Sequence, residues 1–236
     1  MLQDFFTKGQ LEMPQELGLA QEMVVGWSDC MANKIAMVVF IALVLIDLAD
    51  MLRTMPKIWD CISLWRANLG LEHSLSTARS RNNSALVMSL GWVLLMDCYG
   101  IYPAKWLQNL GYGWSAAATA GVLIVFLALR RLCFQAFKPK RMNGEELRAV
   151  HNAMITYFIP QSILMLCSAG ILNIIGADSS LICMIIRYEI AVCWIFDAMR
   201  TGQILSGKVS SLATILYLCG LELLPASVLV ATALLL

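Results

Sequence analysis

The sequence predicts an all-α polytopic membrane protein, a bundle of six transmembrane helices with the N-terminus and the C-terminus outside. Three features predict it: long apolar blocks, few charges, and Lys and Arg that gather on alternate sides of those blocks. Of the 236 residues, 59% are apolar and 14% charged, with a mean hydropathy of +0.71. Ordinary soluble domains carry about 25% charge, and a chain with so few charges lacks a polar shell. A bilayer core about 30 Å thick needs roughly 20 apolar helical residues to cross it. Six blocks meet that length and none alternates as a barrel strand does, so backbone satisfaction in lipid calls for helices. The formal net charge of +1 offers nothing for nucleic acid.

Residues 1–34 read as a periplasmic tail: they are acidic, and no basic start runs into an apolar stretch as a signal peptide would require. Residues 35–236 read as the membrane domain, with spans near 35–52, 85–102, 114–129, 153–175, 179–199 and 211–235. The second stops at Pro103. Thirteen of the 17 Lys and Arg fall between spans one and two, three and four, or five and six. Lys8, Lys34 and Lys105 fall on the other side, and Arg187 lies inside the fifth span. The positive-inside rule makes the cation-rich side cytoplasmic. Asn143 and Glu146 read as a helix start ahead of the fourth span. Gly176 can end that helix, and Asp178 or Ser179 can cap the next, giving a tight hairpin. Ile58, Ile62, Trp65 and Leu69 have helical spacing in the first cytoplasmic loop, which suits a short interfacial helix or a loop helix packed on the bundle.

An ionisable side chain inside a span is costly and suggests function or a dedicated partner. Arg187, Glu222, Glu189, Asp97 and Asp47 stand out. Asp197, near the inner end of the fifth span, is expected to reach water. At 1.5 Å per residue, Arg187 lies about 12 Å below the outer start of its span and Glu222 about 16 Å above the inner start of its own. An Arg187–Glu222 ion pair near the midplane is therefore expected, either as a helix clamp or as part of a proton or ligand path. Glu189, on nearly the opposite helix face from Arg187, needs another partner, such as Asp97 through a shared proton, or a hydroxyl. Pro160 and Pro225 are helix-kink positions that free the carbonyls of Thr156 and Leu221, with the Thr156 hydroxyl as a compensating group. The small residues Ser115, Ala116, Ala117, Ala118, Ala120 and Gly121 suit close helix packing.

The eight cysteines include no C-x-x-C pair, and His73 and His151 are the two histidines. No metal or cofactor is expected. Catalytic motifs are absent: no H-E-x-x-H, G-x-S-x-G, P-loop or dinucleotide fingerprint occurs, so an enzyme is not expected. Spans one and three lack prolines to match Pro160 and Pro225, which argues against an inverted-repeat transporter.

Three segments carry a family likeness: Tyr217-Leu-Cys-Gly-Leu-Glu-Leu-Leu-Pro225 in the last span, Arg79-Ser-Arg-Asn-Asn-Ser84 before the second, and Arg187-Tyr188. Together they resemble a family of multi-pass membrane proteins from Bacteroidota, a domain of unknown function. The likeness spans roughly residues 79–236, and Glu189 stands where the family has lysine. It implies a Gram-negative inner membrane and no particular activity. Two functional expectations follow. One is a non-enzymatic accessory or scaffold protein of an envelope complex, with the lipid bilayer, partner subunits and anionic lipid at the basic loops as its contacts. The other is a small proton-linked carrier using Arg187, Glu189 and Glu222.

Overall fold

The computed structural model describes residues 26–64, 66–136, 144–206 and 211–235, and every regular element among them is helical. In chain order these are α1 (Met31–Ser63), α2 (Ala67–His73), α3 (Leu75–Cys98), α4 (Lys105–Gln108), α5 (Tyr112–Ala136), α6 (Gly144–Ile175), α7 (Ser179–Ser206), α8 (Ser211–Leu218), a π-helical turn (Cys219–Leu223) and α9 (Leu224–Leu235). One further helical turn, 26–29, precedes α1.

Among the described residues five stretches are long and apolar enough to cross a membrane: α1, α5, α6, α7 and the rod made by α8, the π turn and α9. The expected second span falls in α3, whose apolar run is diluted by Asn83, Ser84, Ser89, Gly91 and Asp97. Its surroundings account for this composition. α3 packs against α1, α5 and α6, and its Ser84 and Asp97 meet groups on those neighbours and ahead of α1, while Asn83 is exposed. In the most apolar stretch of α1, by contrast, no residue is buried by the rest of the chain. α1 and α3 meet where Gly91 faces the Phe40 ring, and a Cβ at Gly91 would overlap that ring.

The helices run past the apolar blocks. α1 continues to Ser63, carrying Ile58 into a core with Ala85, Met88 and Ile159. The expected interfacial helix is thus divided: Ile58 and Ile62 extend α1, Leu69 belongs to α2, and Trp65 lies outside the described residues. α2 is tied to the bundle rather than laid on its surface. Asn68 Nδ2 donates to the Tyr157 hydroxyl at 2.7 Å, which donates to the Cys61 carbonyl at 3.2 Å. Glu72, on α2, takes Arg81 Nη1 at 2.5 Å and Asn152 Nδ2 at 3.2 Å.

Two glycines set the turns that end α3 and α6. α3 ends at Cys98, short of Pro103, because Gly100 takes φ 56° and the chain reverses there. Ile101 N–H then reaches the Met96 carbonyl at 3.0 Å, and Gly100 N–H the Asp97 carbonyl at 3.2 Å. Gly176 (φ 78°) closes α6 in the same way, with Ala177 N–H on Leu172 at 2.9 Å. Both are Schellman ends, in which only glycine enters the left-handed region without strain. The Asp178 carbonyl accepts the Ile182 N–H at 3.0 Å as α7 begins, so α6 and α7 form the expected hairpin. α6 starts at Gly144; the cap expected at Asn143 lies outside the described residues.

Candidate functional site

The last rod carries the largest departure from regular helix. Pro225 has no N–H, and its ring crowds the carbonyl four residues back. The chain accommodates it with the π turn, in which Leu224 N–H reaches back to the Cys219 carbonyl. π turns often mark functional positions. This one holds Glu222, which is 5% exposed and turned into the bundle.

Glu222 meets Arg130, not Arg187. Arg130 Nη2 donates to Glu222 Oε1 at 2.6 Å, and both side chains are buried. The expected Arg187–Glu222 pair is not formed, for a reason of helix order: α5 lies against the π turn and α9 and brings its own arginine to Glu222. Arg187 is exposed on the outer surface of α7 and makes no hydrogen bond or ion pair with the described residues.

The core around this pair holds more polar atoms than bonds. Asp197 and Thr201 are one turn apart on α7 and both buried, and Asp197 Oδ1 and Thr201 Oγ1 have no hydrogen-bond partner. Asp197 lies within electrostatic reach of both Glu222 and Arg130. Its expected access to water is not realised, because α7 continues to Ser206 and Asp197 lies on a buried face with Thr201, Ile204 and Leu205. Arg130 Nε and His151 Nδ1 are also without partners, and the His151 ring lies 4.6 Å from that of Phe134. Two carboxylates therefore share one guanidinium, so a second positive charge, a proton or a small cation, would balance the site.

The other expected positions act as clamps between helices. Asp97 Oδ2 accepts Trp27 Nε1 at 2.5 Å and Ser115 Oγ at 3.2 Å, and its Oδ1 accepts Thr119 Oγ1 at 3.5 Å. This joins α3, α5 and the turn ahead of α1, and it gives the small-residue face of α5 its use. Asp47 accepts Ser84 Oγ at 2.6 Å, tying α1 to α3. Glu189 accepts Ser168 Oγ at 2.9 Å, tying α7 to α6; the hydroxyl, not Asp97, is its partner. Pro160 lies inside α6. The Thr156 hydroxyl donates to the Asn152 carbonyl at 3.2 Å and accepts Arg81 Nη1 at 3.4 Å, so it does not serve its own freed carbonyl.

Arg130, Arg81 and Glu72 were not singled out from sequence. Arg130 and Arg81 fall among the cations between the expected spans, and only the continuation of α5 and α3 through those positions places them in the core. Among the described residues no group of His, Cys, Asp and Glu is placed to hold a metal ion, and the cysteines are free thiols. No family model, curated protein or solved structure matches this chain.

Proposed function

We propose that this chain is a non-enzymatic accessory protein of a bacterial inner membrane, six spans with both ends outside, that docks a partner subunit along α7. The observation that carries the reading is Arg187. It lies about 12 Å into its helix, exposed among the outward-facing apolar side chains Met184, Tyr188 and Val192. An unpaired arginine facing lipid is expensive, and membrane proteins normally give such a group a carboxylate or a water-filled cavity. Asp47, Asp97, Glu189 and Glu222 are all engaged within the chain, which leaves the charge of Arg187 for an apolar span that carries Asp or Glu. Anionic lipid at the basic inner loops belongs to the same proposal. The likeness of 217–225 to the Bacteroidota family supports an inner-membrane location, and the placement of cations supports the orientation.

The test is photo-crosslinking from position 188 in native membranes. A crosslinked peptide from an apolar, carboxylate-bearing span, lost in Arg187→Met, is the expected result. No crosslink beyond lipid, or one that Arg187→Met leaves intact, overturns the docking reading. Impermeant thiol labelling checks the topology: cysteines introduced near Lys8 should react in intact spheroplasts, and one at Lys140 should not.

The orphaned Asp197 Oδ1 and Thr201 Oγ1 favour a second reading, a proton- or cation-coupled carrier. Its residues would be Asp197, Glu222 and Arg130 rather than Arg187 and Glu189. A flux in liposomes of the purified chain that Asp197→Asn abolishes, with the fold retained, would establish it.

A further inference from the structure

The C-terminal half of α1 and the N-terminal part of α3 flank a half-open cavity of about 580 Å³. One wall carries Asp50, Arg53, Thr54 and Lys57, residues recurring at three- and four-residue spacing on one face of α1. The other carries Thr77, Arg79, Ser80 and Asn83 from the start of α3. Three cations face one carboxylate. The hydroxyls brace the walls: Thr54 Oγ1 lies 3.0 Å from Ser80 Oγ, and Lys57 Nζ donates to Thr77 Oγ1 at 2.7 Å. Arg53 and Arg79 make no hydrogen bond or ion pair with the described residues. Two guanidinium forks are thus held at a roomy opening without acceptors, while Leu52, Leu75 and Leu86 stand exposed nearby.

We propose that this cavity binds the phosphodiester of an anionic phospholipid. A phosphate presents several acceptor oxygens to planar guanidinium donors, the geometry that arginine recognises best. Basic pockets between helices at the inner leaflet suit anionic headgroups. The exposed leucines give the acyl chains an apolar surface to follow. The inference deepens the anionic-lipid reading above: there the basic loops attract the membrane collectively, whereas here one lipid occupies one cavity. It rests on the proposed orientation, which puts the cavity at the inner leaflet, and the thiol labelling above tests that orientation separately.

The full chain is purified in mild detergent, titrated with phosphatidylglycerol or phosphatidylcholine, and examined by native mass spectrometry. One phosphatidylglycerol per chain is expected, bound about tenfold or more tightly than in the Arg53→Gln/Arg79→Gln variant. Arg131→Gln/Arg148→Gln, an equal change of charge on two exposed cations outside the cavity, should bind as the unaltered chain does. An equal loss in that control overturns the discrete site and leaves the collective attraction standing. Equal binding in the Arg53→Gln/Arg79→Gln variant, or no preference over phosphatidylcholine, overturns the proposal entirely. Glycerol 3-phosphate is the competitor that separates sources: displacement of the lipid at matching concentrations would assign the cavity to a soluble phosphate ester and overturn the lipid assignment. Both arginines are exposed, and circular dichroism of each variant checks that the helices are retained.

Discussion

Arg130 lies near the C-terminal end of α5, its side chain 7% exposed and a carboxylate from another helix 2.6 Å away. Arg187 lies in the N-terminal half of α7, exposed, with no acceptor among the described residues. The two carry the same charge on the same kind of apolar helix. For Arg130 the desolvation cost is offset inside the chain, and the pair joins the last rod to α5. For Arg187 nothing among the described residues does this, so its cost falls on what lies beyond them. One arginine therefore bears on folding and the other on surroundings, and substitutions should separate them.

The largest effect should come from Glu222→Leu. It removes the carboxylate that is hydrogen-bonded to the Arg130 guanidinium and leaves Asp197 within electrostatic reach; breaking a buried pair costs about 3–5 kcal/mol in soluble proteins. Arg130→Met should cost a similar amount, and the double variant should recover part of the loss because neither member of the pair remains. Thermal unfolding in detergent measures all three. Arg187→Met combined with Glu222→Leu should recover nothing. If that combination rescues stability and Arg130→Met does not, the pairing described here is wrong and the roles of the two arginines reverse.

Asp97→Ala should come next. It removes the acceptor shared by Trp27, Ser115 and Thr119 and leaves their donors in a largely dry setting, at about 1–3 kcal/mol. Because Trp27 is 4% exposed and held by this carboxylate, near-ultraviolet circular dichroism should report the loss along with the melting shift. A change confined to the melting point, with the indole signal kept, would mean that packing rather than Asp97 holds Trp27.

The difference between the two arginines also marks how far the sequence could be read. The apolar blocks foretold α1, α5, α6, α7 and the last rod, because the need for apolar length acts locally along the chain. Gly176 foretold the α6–α7 turn for the same reason. Arg187 and Glu222 stood out as costly, yet their pairing was misjudged, since adjacency in sequence does not set which helices touch. The continuation of α5 to Ala136 turns Arg130 from a loop cation into a core residue, and no local pattern announces it. The π turn was equally hidden: Pro225 predicted a kink, but whether a helix answers with a bend or an inserted residue depends on what packs against it. α3 shows a similar limit: the second span was expected at 85–102, but the helix begins at Leu75, and no apolar pattern marks its polar first turns.

The smallest effect on the isolated fold should be that of Arg187→Met. An exposed substitution away from caps and contacts usually changes stability by no more than about 0.5 kcal/mol, and losing an unpaired charge from an apolar face removes a cost rather than a contact. The purified variant should therefore melt with the unaltered chain. In native membranes the comparison should differ. A partner that binds the folded chain stabilises it by mass action, so the unaltered chain should resist heat or proteolysis better there than Arg187→Met does. Equal resistance in membranes would remove the reason for assigning Arg187 to a partner. A large loss in the purified variant, comparable to that of Glu222→Leu, would make Arg187 an internal clamp like Arg130 and erase the contrast between them.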